Sequence, residues 1–186
     1  MKWWKFAVLG FAVAACSNDV AQPRENSLIS TAPSFIKFSS SGYTFAEKSG
    51  SFWAKKGSTR SVSLRYTDTN AEFLNFTVPS GSLFKRPDGT AIEDGDSVLI
   101  NVVVDDAGRM LFHFEPSGLR FKTSDPALLT INADRADPLD VLLAPLASIW
   151  KRESALLPWL QLPTLHVGTT VQSDIKGFTD FGMATN

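Results

Sequence analysis

The chain has 186 residues, enough for one domain with a real core. Its 18 basic and 19 acidic residues leave a net charge of −1, a poor match to the clustered positive charge that grips phosphate backbones, so no nucleic acid is expected as a partner. A single cysteine excludes an internal disulfide and any multi-cysteine metal site; no cofactor and no metal are expected.

Residues 1–15 read as a signal peptide in three zones. Lys2 and Lys5 make a positive start, Phe6 to Ala12 an apolar run, and Val13-Ala14-Ala15 a small-residue end. The run falls well short of the ~20 residues that span a bilayer. Val13-Ala14-Ala15-Cys16 resembles the bacterial lipobox. The resemblance implies diacylglyceryl transfer to the Cys16 thiol, cleavage before it and acylation of the new amine. Several acyl chains on one residue would give a durable membrane anchor. By the same likeness, Ser17 implies sorting to the outer membrane of a bacterial envelope. The alternative is an ordinary signal peptide, since Ala12-Val13-Ala14 also fits a small-x-small cleavage site. Losing residues 1–15 removes two lysines and no acid, leaving 16 bases against 19 acids, or −3.

Lipidated Cys16 and a polar stretch to residue 34 are expected to form a tether, too poor in large apolar residues to offset the cost of ordering. Residues 35–186 are expected to form the folded domain. Strands are predicted at Phe52–Lys55, ending in Lys56-Gly57-Ser58, at Arg60–Tyr66, and at Glu72–Val78, ended by Pro79-Ser80-Gly81. Val62, Leu64 and Tyr66 alternate with polar residues. Arg86-Pro87-Asp88-Gly89 marks a turn. Ser97–Val104 predicts a central strand, with Val98, Ile100, Val102 and Val104 on one face and Leu99 and Val103 on the other. Asp105-Asp106-Ala107-Gly108 turns it into Met110–Phe114 as a hairpin. Shorter strands are predicted at Leu119–Phe121 and Leu128–Ile131.

Pro138 behind Asp137 marks a helix start, and Leu139, Leu142, Leu143, Leu146 and Trp150 follow a 3.6-residue period. Pro145 limits this to one short helical segment near 138–152. Strands at Thr164–Ile175 and Phe178–Ala184, parted by Lys176-Gly177, close the chain. The expected fold class is all-β, an antiparallel β-sandwich.

Three stretches resemble ZU5-like β-sandwich domains of bacterial surface proteins and lipoproteins. They are Phe52 to Tyr66 with Phe76-Thr77-Val78-Pro79-Ser80-Gly81, then Phe114-Glu115-Pro116-Ser117-Gly118-Leu119-Arg120-Phe121, then Gly177-Phe178-Thr179-Asp180-Phe181-Gly182-Met183-Ala184. The likeness covers roughly residues 50–133 with the tail as an outlying piece, and implies an interaction module. Some animal relatives self-cleave at His-Phe-Ser. Here Glu115 follows His113-Phe114, and no His precedes Phe178, so autoproteolysis is not carried over.

Alternation sets His113 opposite Met110, Phe112 and Phe114, as an exposed or lightly packed residue, and His166 is similar. No G-x-S-x-G, H-E-x-x-H, P-loop or Rossmann glycine pattern occurs. Asp134, Asp137 and Asp140, spaced by three, suggest either calcium or helix capping; without a loop glycine and a bidentate Glu, capping is expected. Trp53, Trp150 and Trp159 are candidate ligand-binding residues, as a stacking platform for sugars, set against plain packing of large rings. Leu156-Leu157-Pro158-Trp159-Leu160 reads as a cover for an open end of the sandwich or an interaction patch. The sequence thus predicts a non-enzymatic envelope lipoprotein whose partners are the membrane, through its anchor, and an envelope protein or glycan. A small-ligand binder using the tryptophans and an enzyme with an unfamiliar site are the competing readings.

Overall fold

The computed structural model describes residues 32–186. The signal peptide, Cys16 and most of the predicted tether lie outside the described residues. The chain joins the fold at β1 (Ser34–Phe35), then makes a short helix α1 (Ser40–Phe45) capped by the Ser39 hydroxyl, which accepts from the Gly42 N–H at 3.0 Å. There follow β2 (Ser49–Lys55), β3 (Arg60–Arg65), β4 (Glu72–Val78), β5 (Leu83–Lys85), β6 (Ser97–Val104), β7 (Leu111–Glu115), β8 (Arg120–Phe121) and β9 (Ala127–Asn132). Helix α2 (Pro138–Leu143) runs into a 3-10 turn at Ala144–Leu146. The chain ends with β10 (Ser148–Arg152), β11 (Leu160–Gln161), β12 (Leu165–Val167), β13 (Thr170–Ile175) and β14 (Asp180–Thr185).

The strands form two antiparallel sheets. One runs β11-β10-β14-β7-β6-β2, with β1 added against β14; the other runs β12-β13-β9-β4-β3. A small β5-β8 ribbon stands apart. The protein is an all-β antiparallel sandwich, as its alternating strands predict. Strand β6 is the clearest case. Val98, Ile100, Val102 and Val104 are buried, while Leu99 and Val103 point outward, and β6 lies between β7 and β2. The phenylalanines explain the composition. Phe76 meets Phe114 at 5.0 Å and Phe178 at 5.3 Å between ring centres, Phe114 meets Phe181 at 5.4 Å, and Phe73, Phe76, Phe112 and Phe181 are fully buried. Edge and tilted ring contacts of this kind add to burial itself.

The short helical segment predicted near 138–152 is present, as α2 and its 3-10 turn. Helix ends at Leu146, and Trp150 sits in β10, where Ser148 to Arg152 pair with Ala184 to Asp180 of β14. Pro145 has no N–H to continue a helix, and pairing with β14 satisfies the backbone that follows. The leucine periodicity also faces the other way. Val141 and Ala144 pack on the core, whereas Leu139, Leu142 and Leu146 are 73%, 73% and 74% exposed. Helix α1 was not foreseen, because Ser40 to Phe45 has no apolar period and is held by its cap. The three aspartates act as caps and ties. Asp137 accepts from the Leu139 N–H at 3.1 Å, Asp140 from the Lys37 N–H at 2.8 Å, and Asp134 from Asn132. Among the described residues no three His, Cys, Asp or Glu side chains gather as a metal site, and no helix is long and apolar enough to cross a membrane.

Candidate functional site

Along one side of the sandwich β10 of one sheet approaches β13 of the other, with the short strands β11 and β12 at the margins of their sheets. A strap at residues 162–164 crosses between them and is tied to both. The Leu162 N–H donates to the Ile149 carbonyl at 2.8 Å, and the Ile149 N–H donates to the Thr164 hydroxyl at 3.1 Å. On the opposite side the Ser173 hydroxyl donates to the Pro163 carbonyl at 2.8 Å. Proline suits a strap, since it holds an extended chain and needs no donor partner.

A groove of about 920 Å³ opens beside this strap. Its apolar wall comes from Leu119, Leu128, Leu162 and Phe178, with Leu119 and Phe178 belonging to the core itself. Its rim carries Arg120, Lys176 and Asp174, and Lys151 paired with Glu153 at 3.0 Å. Arg120 and Lys176 make no ion pair among the described residues. The same two cations border a second, smaller hollow that adds Lys122 and Phe84. A groove with a partly apolar wall and a rim bearing the unpaired Arg120, Lys176 and Asp174 suits a partner that presents both apolar and polar groups.

The outward face of the larger sheet carries a second constellation. Register aligns His113 of β7 with Asp180 of β14, and Asp180 with Arg152 of β10. His113 Nδ1 lies 2.8 Å from Asp180 Oδ1, and Arg152 Nη2 donates to Asp180 Oδ2 at 2.9 Å. His113 faces outward as alternation predicts, but its aspartate partner, 67 positions away, was not foreseen. Among the described residues no serine, threonine or cysteine is hydrogen-bonded to His113. The cluster's visible work is to lock three adjacent strands together.

The candidate tryptophans are not brought together. Trp53 stands on edge strand β2, 63% exposed, opposite Leu99. Trp150 is 3% exposed, and its Nε1–H donates to the Ala184 carbonyl at 3.2 Å. Three strands separate β2 from β10, about 19 Å at the usual spacing. Trp159 is half-buried, with the Arg152 guanidinium 4.7 Å from its ring centre and the Phe35 ring edge-on at 4.8 Å. A single three-tryptophan platform is therefore not formed; Trp150 packs, and Trp53 alone offers an open ring. His166 is exposed on edge strand β12.

Sequence reasoning passed over the groove residues. Lys176-Gly177 registers only as a break between strands, and Arg120 only as the polar partner of Leu119 and Phe121. Their meeting depends on Gly177, whose bridge to Arg120 sets Lys176 beside β8. No protein-family model matches the chain, and no curated protein matches it.

Proposed function

We propose that the chain is a bacterial envelope lipoprotein, anchored through Cys16, whose β-sandwich is a non-enzymatic module that takes an envelope protein or glycan in the groove beside the 162–164 strap. The observation that carries the reading is the groove itself, with core phenylalanine at its floor and the unpaired cations Arg120 and Lys176 at its rim. The lipobox-like Val13-Ala14-Ala15-Cys16 supports the anchor and the outer-membrane address. The three ZU5-like stretches support kinship with a family of interaction modules. They cover most of β2, all of β3, the ends of β4 and β7 and most of β14 with the turns between, so they speak to packing and turns and favour a shared fold over a shared chemistry.

Charge reversal tests the groove without touching the core, because Arg120 and Lys176 are exposed. Arg120→Glu with Lys176→Glu should abolish capture of a partner from detergent-solubilised envelopes while leaving the thermal unfolding midpoint within a few degrees. Undiminished capture by this double variant would remove the groove as the binding site. A second reading, glycan stacking on Trp53, is favoured by that ring's exposure next to Leu99. It requires Trp53→Ala, and not the groove variant, to lose binding.

A further inference from the structure

The smaller hollow lies where the β5–β8 ribbon meets the link between β13 and β14, and it has a volume of about 460 Å³. Arg120, Lys122 and Lys176 line it together with the Phe84 ring and the hydroxyl residues Thr123 and Ser124, and no acid lines it among the described residues. Three backbone contacts hold its parts in place. The Phe121 N–H donates to the Lys176 carbonyl at 3.0 Å, the Phe178 N–H to the Leu119 carbonyl at 2.8 Å, and the Lys122 N–H to the Ser82 carbonyl at 2.7 Å. A fourth cation, Lys85, is the register partner of Arg120, and its ammonium stands 5.1 Å from the Phe84 ring centre. Like charges set directly opposite on neighbouring strands repel. None of the four cations makes an ion pair among the described residues. The acids close by in sequence are turned elsewhere. The Asp125 carboxylate lies against Gly81, and Asp174 lines the groove and not this hollow. In a chain of net charge −1, this concentration is a local arrangement and not a reflection of composition.

We infer that the hollow is a seat for a phosphorylated sugar, with the phosphate held by Arg120, Lys122 and Lys176 and the sugar ring laid against Phe84. Charge selects the phosphate. A phosphate monoester carries about −1.5 to −2 near neutral pH and three acceptor oxygens, which three cations answer, whereas a carboxylate leaves part of their charge unmatched. Arg120 supplies the planar fork that takes two oxygens at once, and the lysines act as point charges. Size and lining select the carrier. The hollow falls within the roughly 300–1,000 Å³ of small-molecule sites. Its one open ring, Phe84 at 43% exposure, offers a flat apolar face, while the Thr123 and Ser124 hydroxyls both donate and accept, as sugar hydroxyls require. The seat goes beyond the groove reading and does not depend on the anchor. Phe84, Lys122, Thr123 and Ser124 line this hollow and not the groove, while Arg120 and Lys176 border both.

Calorimetric titration of the full-length protein with glucose-6-phosphate and glucose-1-phosphate, at matched ionic strength, tests the seat. At least one should bind about tenfold or more tightly than inorganic phosphate, glucose should give no heat, and the affinity should fall as salt is added. Lys122→Glu should weaken that binding about tenfold or more, through loss of a charge-assisted contact. Phe84→Ala should bring the sugar phosphate down to the affinity of inorganic phosphate. Both variants should keep the wild-type circular dichroism and unfolding midpoint. No heat with either sugar phosphate, equal binding of inorganic phosphate by the wild type, or undiminished binding by Lys122→Glu overturns the inference. So does tighter binding of adenosine monophosphate or phosphoserine, which would assign the seat to a nucleotide or a phosphopeptide. Capture of an envelope partner is measured on the same samples. Lys122→Glu that keeps capture while losing the sugar phosphate supports a seat separate from the groove. Capture lost in Arg120→Glu with Lys176→Glu, with no sugar phosphate bound by the wild type, keeps the groove and removes the seat.

Discussion

Asp105 shows how much a single side chain determines at the turn that follows β6. Its two oxygens accept from Arg109 Nε at 2.9 Å and Nη2 at 2.8 Å, and Oδ2 also accepts from the Ala107 N–H at 3.1 Å. The forked guanidinium fits the carboxylate with both arms, the strong form of such a pair. Those hydrogen bonds, ahead of the opposing effect of burial, hold the Asp105 carboxyl below the usual carboxylate range. A carboxyl lowered by folding contributes stability that is fully present above its unfolded value, and that stability is lost as pH falls through the folded one. Asp105→Asn should therefore cost about 1–2 kcal/mol at pH 7, a figure reduced because Arg109 is partly in water. Urea titrations should show the gap between wild type and variant closing as pH is taken below about 4. A gap that persisted unchanged at pH 3 would remove charge as its cause. In the sequence Asp105-Asp106-Ala107-Gly108 announces a turn, but not which aspartate turns inward to meet Arg109.

At the scale of elements, β1 is short, with two residues, yet its seat is specific. Phe35 lies across Gly182 of β14, where an added Cβ would come within 2.5 Å of the phenyl ring and 3.3 Å of Leu111. Glycine is required there by this close approach of another element. Gly182→Ala should displace Phe35 and loosen the joint with Trp159. The cost is about 1–3 kcal/mol, as for other overpacked sites. Hydrogen exchange should then report faster opening of Ile36 and Met110, whose N–H groups bond across this joint. Exchange at wild-type rates would contradict the packing account. The strand pattern was legible where one face is buried: Glu72–Val78 and Ser97–Val104 fall where alternation puts them. The short helix near 138–152 was legible too, but not its facing, because a leucine period reports amphipathicity and not which side the protein turns inward. Small Val141 and Ala144 fit against the sandwich, and the larger leucines are left outside.

For the molecule as a whole, the sandwich class follows from local alternation, while the groove follows from topology. Its rim joins residues from β8, β10, β13 and the β13–β14 link, and no spacing along the chain records that these ends meet. The tryptophans illustrate the same gap. As residue types they suggest a platform, but strand order parts Trp53 from Trp150 and buries the latter. The arrangement joins the N-terminal segment to the domain at β1, beside β14, and leaves a groove where the margins of the two sheets come together.

The proposed envelope address depends on the Cys16 sulfur being the point of attachment. Intact mass analysis of the protein extracted from its native envelope tests it most directly. The account predicts loss of residues 1–15 and a new terminal Cys16 carrying a thioether-linked diacylglyceryl group and an amide-linked acyl chain. A polypeptide that keeps Met1, or one cut after Ala14 with an unmodified thiol, would contradict it.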